Sequence, residues 1–231
     1  MPIATKVSIT ETGKITAIAY PASKKDRPPV TVVLGHGAGA NQSNPFMVRI
    51  AGDLADRGIG CLTFNFLYTE QGRKLPDRND ALELCYGKVI EAWHAGKFPT
   101  IGEGKLVIGG KSMGGRIASQ VAAKSDVDIA GLVFLGYPLH PPGNSAKLRD
   151  AHLPSIREPM LFIQGAKDAF GTPEELRPIL KQLKASVELC PIDEADHSLK
   201  VPKKASRSQV EVDAFVLDTI ENWVKRAVLV R

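Results

Sequence analysis

Residues 110–114 read Gly-Lys-Ser-Met-Gly, set between a short apolar run and an alanine-rich stretch of helical spacing. A serine between glycines at a strand–turn–helix junction is the context of a nucleophile elbow. Such a turn holds its central residue in a strained conformation, which small neighbours tolerate. The helix that follows aims its free N–H groups and positive dipole end back at the serine. Ser112 is therefore placed to attack a carbonyl. The bland alternative is a glycine-rich turn that packs a helix closely against a sheet.

A serine hydroxyl attacks poorly until a base takes its proton and a third group orients that base. In an open sheet flanked by helices, reactive groups sit on loops at the carboxyl ends of strands. Two such loops carry suitable chemistry: Gly165-Ala166-Lys167-Asp168, and Ile192-Asp193-Glu194-Ala195-Asp196-His197-Ser198. Asp168 is the preferred acid, its alternative being a turn or helix-capping aspartate. Asp196 is the fallback, because neighbours in sequence aim their side chains apart; Asp193 and Glu194 read as solvated charges. Of the five histidines, His197 alone occupies the loop that should present the base. His94 reads as packing or surface, His152 has no evident partner, and His140 falls where it could line a pocket.

Acyl transfer places negative charge on the former carbonyl oxygen, and each backbone N–H aimed there is worth roughly 3 kcal/mol. Met113 supplies one donor. The second should come from Gly35-His36-Gly37-Ala38-Gly39-Ala40, with Ala38 the expected donor and His36 organising the loop by hydrogen bonding. A glycine-rich turn of this kind could instead cradle phosphate, but neither G-x-G-x-x-G nor G-x-x-x-x-G-K-[ST] is present. No histidine spacing or cysteine pair suggests a metal site, and the chemistry needs no cofactor.

The elements that must position these residues follow from periodicity. Residues 6–10 and 15–19 alternate as an antiparallel hairpin, and 21–29 form a proline-bearing loop. Strands are expected at 30–34, 60–66, 106–109, 129–135, 160–164 and 187–191, those at 30–34, 60–66 and 160–164 buried. Helices are expected at 45–57, 80–96, from 113 onward, at 173–184 and at 209–226. The reading is a single domain over residues 1–231, with about eight strands, mostly parallel, and about six helices on both faces. A hydrophobic content of 43% suits a full core.

The serine, acid and histidine loops together resemble the α/β-hydrolase superfamily, whose dienelactone-hydrolase-like branch is nearest. More narrowly, GHGAGAN, FNFLYTEQGRKLPDR, GGKSMGGRIAS, GYPLHPPG and DHSLKV resemble the hydrolase-like family of testis-expressed protein 30. That family shares its domain with subunit 3 of the NSL histone-acetyltransferase complex. The resemblance runs from about residue 30 to 223. It implies Ser112, Asp168 and His197 as a triad with Ala38 and Met113 as oxyanion donors, and it implies no substrate.

The expected activity is hydrolysis of a small carboxylic ester or thioester through an acyl-enzyme. A non-catalytic interaction module of hydrolase fold and a short-peptide peptidase remain alternatives. The segment after Tyr137 is too short for a large helical cap, so the lid is minimal. An open pocket rimmed by Leu67, Tyr68, Tyr137 and His140 is expected, although both tyrosines could simply pack at strand ends. The net charge of +5 is dispersed and no nucleic-acid motif accompanies it. No apolar stretch nears the ~20 residues of a membrane span, and the amino-terminal residues lack a secretory pattern. Cys61, Cys85 and Cys190 read as free thiols of a cytoplasmic protein.

Overall fold

The computed structural model describes residues 1–23, 29–124 and 127–230. Most of the expected loop at 21–29 and the end of the helical stretch at Ser125 lie outside them.

Eight strands form one sheet: β1 (Ile3–Ser8), β2 (Lys14–Tyr20), β3 (Val30–Gly35), β4 (Gly60–Phe64), β5 (Lys105–Lys111), β6 (Gly131–Leu135), β7 (Met160–Gly165) and β8 (Val187–Ile192). Their order across the sheet is β1-β2-β4-β3-β5-β6-β7-β8. The amino-terminal hairpin is antiparallel, with Ile3 opposite Ala19, and β2 joins β4 antiparallel; β4 through β8 run parallel. Every residue of β3, β4, β6 and β7 is buried, as expected of strands covered on both faces.

The helices are α1 (Pro45–Asp56), α2 (Leu67–Glu70), α3 (Asn79–His94), α4 (Met113–Lys124), α5 (Pro173–Leu180) and α6 (Gln209–Trp223). Alternation along the strands divides the apolar residues into two layers. Val33, Ile108 and Phe134 pack with α3, α4 and α5, whereas Val32, Val107 and Val133 pack with α1 and α6. Helix starts follow their caps: Asn44 accepts from the Phe46 amide ahead of α1, and Thr172 and Ser208 form capping boxes with Glu175 and Glu211.

Three expectations need adjusting. The polar stretch 67–79, expected as a loop after the strand at 60–66, is not all loop, because its first four residues make α2. The helix expected to run to 184 stops at Leu180. The closing helix is regular only to Trp223 and widens into a π-helical turn over Val224–Val228. The segment between β6 and β7 holds only a 3-10 turn, Leu153–Ser155, among its described residues.

Candidate active site

Chain order reverses beside β3: β4 lies on one side and β5 on the other. Loops leaving the carboxyl ends of β3 and β5 diverge there and open a crevice. The β3 loop carries Ala38 and the β5 turn carries Ser112, so topology alone brings the expected oxyanion donor and nucleophile to one place.

Ser112 has φ 51°, a left-handed conformation for a residue with a β-carbon. The strain persists because close packing leaves no other path. A β-carbon on Gly114 would lie 2.1 Å from the carbonyl oxygen of Gly35, and one on Gly110 would lie 2.3 Å from the same atom. The two glycines let α4 and the end of β5 press against β3. Beneath them the buried Tyr86 hydroxyl accepts from the Gly109 amide at 2.9 Å.

The three expected side chains meet. His197 Nε2 lies 2.7 Å from Ser112 Oγ, and His197 Nδ1 lies 2.7 Å from Asp168 Oδ2. A carboxylate only accepts, so Nδ1 carries the ring hydrogen and Nε2 accepts from the serine. The Asp168 side chain is fully buried. It accepts from the Phe170 amide on Oδ1 at 2.8 Å and from Gln164 Nε2 on Oδ2 at 2.8 Å. Phe170 also stacks on the imidazole, with centroids 4.1 Å apart. Asp196, the fallback acid, is committed to its own loop, accepting from the amides of Ser198 and Lys200.

The Ala38 amide has no protein acceptor among the described residues. The Met113 amide heads α4, where first-turn N–H groups have no intrahelical acceptor. His36 organises the loop: Nε2 accepts from the Phe66 amide at 3.2 Å, and Nδ1 donates to the Gly37 carbonyl at 2.8 Å. Burial pushes its pKa down to about 4, so at neutral pH it is a fixed neutral ring.

The pocket rim differs from expectation. Ser112 and His197 open into a cleft of about 360 Å³ walled by Asn44, Phe46, Met47, Phe170, Ser198 and Lys200. Tyr68, Tyr137, His140 and Leu67 are not in its lining. Tyr68 is fully buried against Phe66 and His36. Tyr137 turns inward, and its hydroxyl donates to the Arg149 carbonyl at 2.7 Å. His140 is held between the Pro141 carbonyl and Glu175, while Leu67 packs on the core beside the hairpin turn at Gly13. His152 has a partner after all, Ser119 Oγ at 2.7 Å.

Sequence reasoning also passed over Gln164 and Phe170. A glutamine inside the apolar run Met-Leu-Phe-Ile-Gln-Gly was the available signal for the first: a buried amide must bond something. Among the described residues, no three His, Cys, Asp or Glu side chains gather to hold a metal ion, and no helix is long and apolar enough to cross a membrane.

A sheet of this order, with an elbow serine, a following acid and a late histidine, is the architecture of an α/β hydrolase. Residues 28–225 match the family described as Alpha/beta hydrolase domain, and the chain belongs to it. Among solved structures it is similar to a dienelactone hydrolase from Anabaena variabilis, with 20% identity, TM-score 0.76, and coverage of 99% of this chain and 98% of that one. It is also similar to an α/β serine hydrolase without a lid from Xanthomonas campestris, at 19% identity and TM-score 0.71, covering 96% and 94%. A third is Est1E from Butyrivibrio proteoclasticus, solved with ferulic acid bound, at 16% identity and TM-score 0.73, covering 96% and 100%. At these identities the likeness speaks to the fold.

Proposed function

We propose that the chain is a single-domain serine hydrolase that cleaves a small carboxylic ester or thioester through an acyl-enzyme. The observation that carries this reading is the unbroken relay from Ser112 through His197 to a buried Asp168, 2.7 Å at each step, at an open cleft. Ser112 Oγ attacks the acyl carbon as its proton passes to His197 Nε2. The imidazolium so formed is stabilised by Asp168 and then protonates the leaving group. The amides of Ala38 and Met113 receive the oxyanion. Water, deprotonated by His197, attacks the acyl-enzyme and releases the acid together with the free serine.

The cleft size and the small-molecule complex of Est1E support a small acyl substrate. The motifs quoted above support placement near the testis-expressed protein 30 group. Three cysteines free of disulfides support a reducing, cytoplasmic setting. No feature of the cleft supports a nucleic-acid partner.

A fluorophosphonate probe followed by mass spectrometry is expected to label Ser112 alone, and Ser112→Ala to abolish labelling. Intact protein that takes up no probe would overturn the hydrolase reading and leave the interaction module. Rates on p-nitrophenyl acetate, a matched thioester and a p-nitroanilide separate ester, thioester and peptidase activity.

A further inference from the structure

Lys111, the last residue of β5, stands directly before Ser112 yet reaches a different loop. Its ammonium donates to the main-chain carbonyl of His197. That carbonyl is the only main-chain group of His197 with a protein partner among the described residues. The loop around it is strained, with Glu194 at φ 59° and Leu199 at φ 58°. Asp196 sets its internal shape by accepting from Ser198 and Lys200. The imidazole meets the β5 turn at Ser112 Oγ, and the lysine ties the histidine's main chain to the same turn.

Space is kept for this tie. A β-carbon on Gly136 would come 2.8 Å from the His197 carbonyl oxygen and 3.0 Å from Lys111 Nζ. A β-carbon on Gly37 would touch the lysine stem at 3.9 Å.

The ammonium is also costly. Lys111 is half-buried beside the cleft and forms no direct ion pair among the described residues. Asp168 and Asp196 face it from the loops after β7 and β8 and favour its charge, but burial wins and pushes its pKa down to about 8. A cation buried to hold a carbonyl costs folding free energy that a methionine of similar length would not.

Resting on the hydrolase reading, we infer that Lys111 is a positioning residue: by gripping the His197 carbonyl it holds the imidazole within reach of the adjacent Ser112. One side chain thus links the nucleophile's strand to the base's backbone. It takes no proton from substrate and touches no reacting atom.

The test compares Lys111→Met and Lys111→Arg with the parent on p-nitrophenyl acetate, each normalised by fluorophosphonate titration. Lys111→Met is expected to lower kcat about 10- to 100-fold, the scale of a misplacement near 1 Å, with KM within about twofold. Lys111→Arg should recover most of kcat. The parent should lose kcat above about pH 8 as the ammonium titrates, and Lys111→Arg should hold its rate there. Proton NMR supplies a readout independent of turnover: the far-downfield His197 Nδ1–H signal should vanish in Lys111→Met and persist in Lys111→Arg. Lys111→Gln, too short to reach the carbonyl, replaces Lys111→Met if that variant does not fold.

A methionine variant with parental kcat and a parental downfield signal overturns the inference. A parent with the signal but no hydrolysis, and a methionine variant lacking it, supports the inference and counts against the hydrolase reading.

Discussion

Replacing Asp168 by asparagine tests the relay with almost no change of shape. Both carboxylate oxygens are occupied: Oδ1 accepts from the Phe170 amide, and Oδ2 accepts from Gln164 and from His197. An asparagine offers one acceptor and one donor in the same two places. With its oxygen left on the Phe170 amide, its NH₂ faces His197 Nδ1 and forces the ring hydrogen onto Nε2. The imidazole then donates to Ser112 where it should accept, and the base is lost. With the amide flipped, the NH₂ opposes the Phe170 N–H, leaving donors facing each other at about 1–3 kcal/mol. The Gln164 contact opposes the first orientation in the same way, so folding pays a similar amount either way. In the Ser-His-Asp template the equivalent change lowers kcat about 10⁴-fold, or about 5 kcal/mol of barrier. Steady-state kinetics on p-nitrophenyl acetate, beside urea unfolding, gives both numbers. A folded Asp168→Asn variant with kcat within tenfold of the parent would refute the tautomer argument.

Two further outcomes follow from the same coordinates. Ser112→Gly and Ser112→Ala both remove the hydroxyl, but only glycine relieves the φ of 51°; urea midpoints should therefore place Ser112→Gly about 1 kcal/mol above Ser112→Ala, the reverse of the usual order. His36 ordinarily titrates near 6.5 and is held at about 4, so the unfolded chain binds more protons between those values and stability falls as pH drops through that window. The loss approaches about 3 kcal/mol by pH 4, and a His36→Gln variant should show a flatter acid limb in urea titrations; an unchanged limb would reject the assignment.

What the sequence disclosed, and what it withheld, divides along a physical line. Strand positions were legible because continuous apolar runs such as 30–34 have few alternatives in a sheet covered on both faces. Once strands alternate with helices, the carboxyl-end rule fixes where loop backbones lie, and Ser112, Asp168 and His197 follow from that rule. Short or terminal features were not legible. Four residues of α2 are too few to show a helical period, and the π-helical turn after Trp223 continues an apolar stripe without a break.

The pocket rim failed for a different reason. Tyr68 and Tyr137 start near the right edge of the sheet, but a side chain's direction is settled by local competition, which spacing does not encode. Tyr137 turned inward buries its ring against Phe134 and Phe162, and still gives its hydroxyl the Arg149 carbonyl. Facing the cleft would forfeit much of that burial, worth about 1.5–3 kcal/mol for a large apolar side chain. Phe170 lies two residues beyond a buried aspartate that holds its amide, and its ring lies against the His197 imidazole. That side of the cleft is therefore formed by a residue whose backbone is already committed to the relay, which makes the position of the Phe170 ring a consequence of the triad's hydrogen bonds.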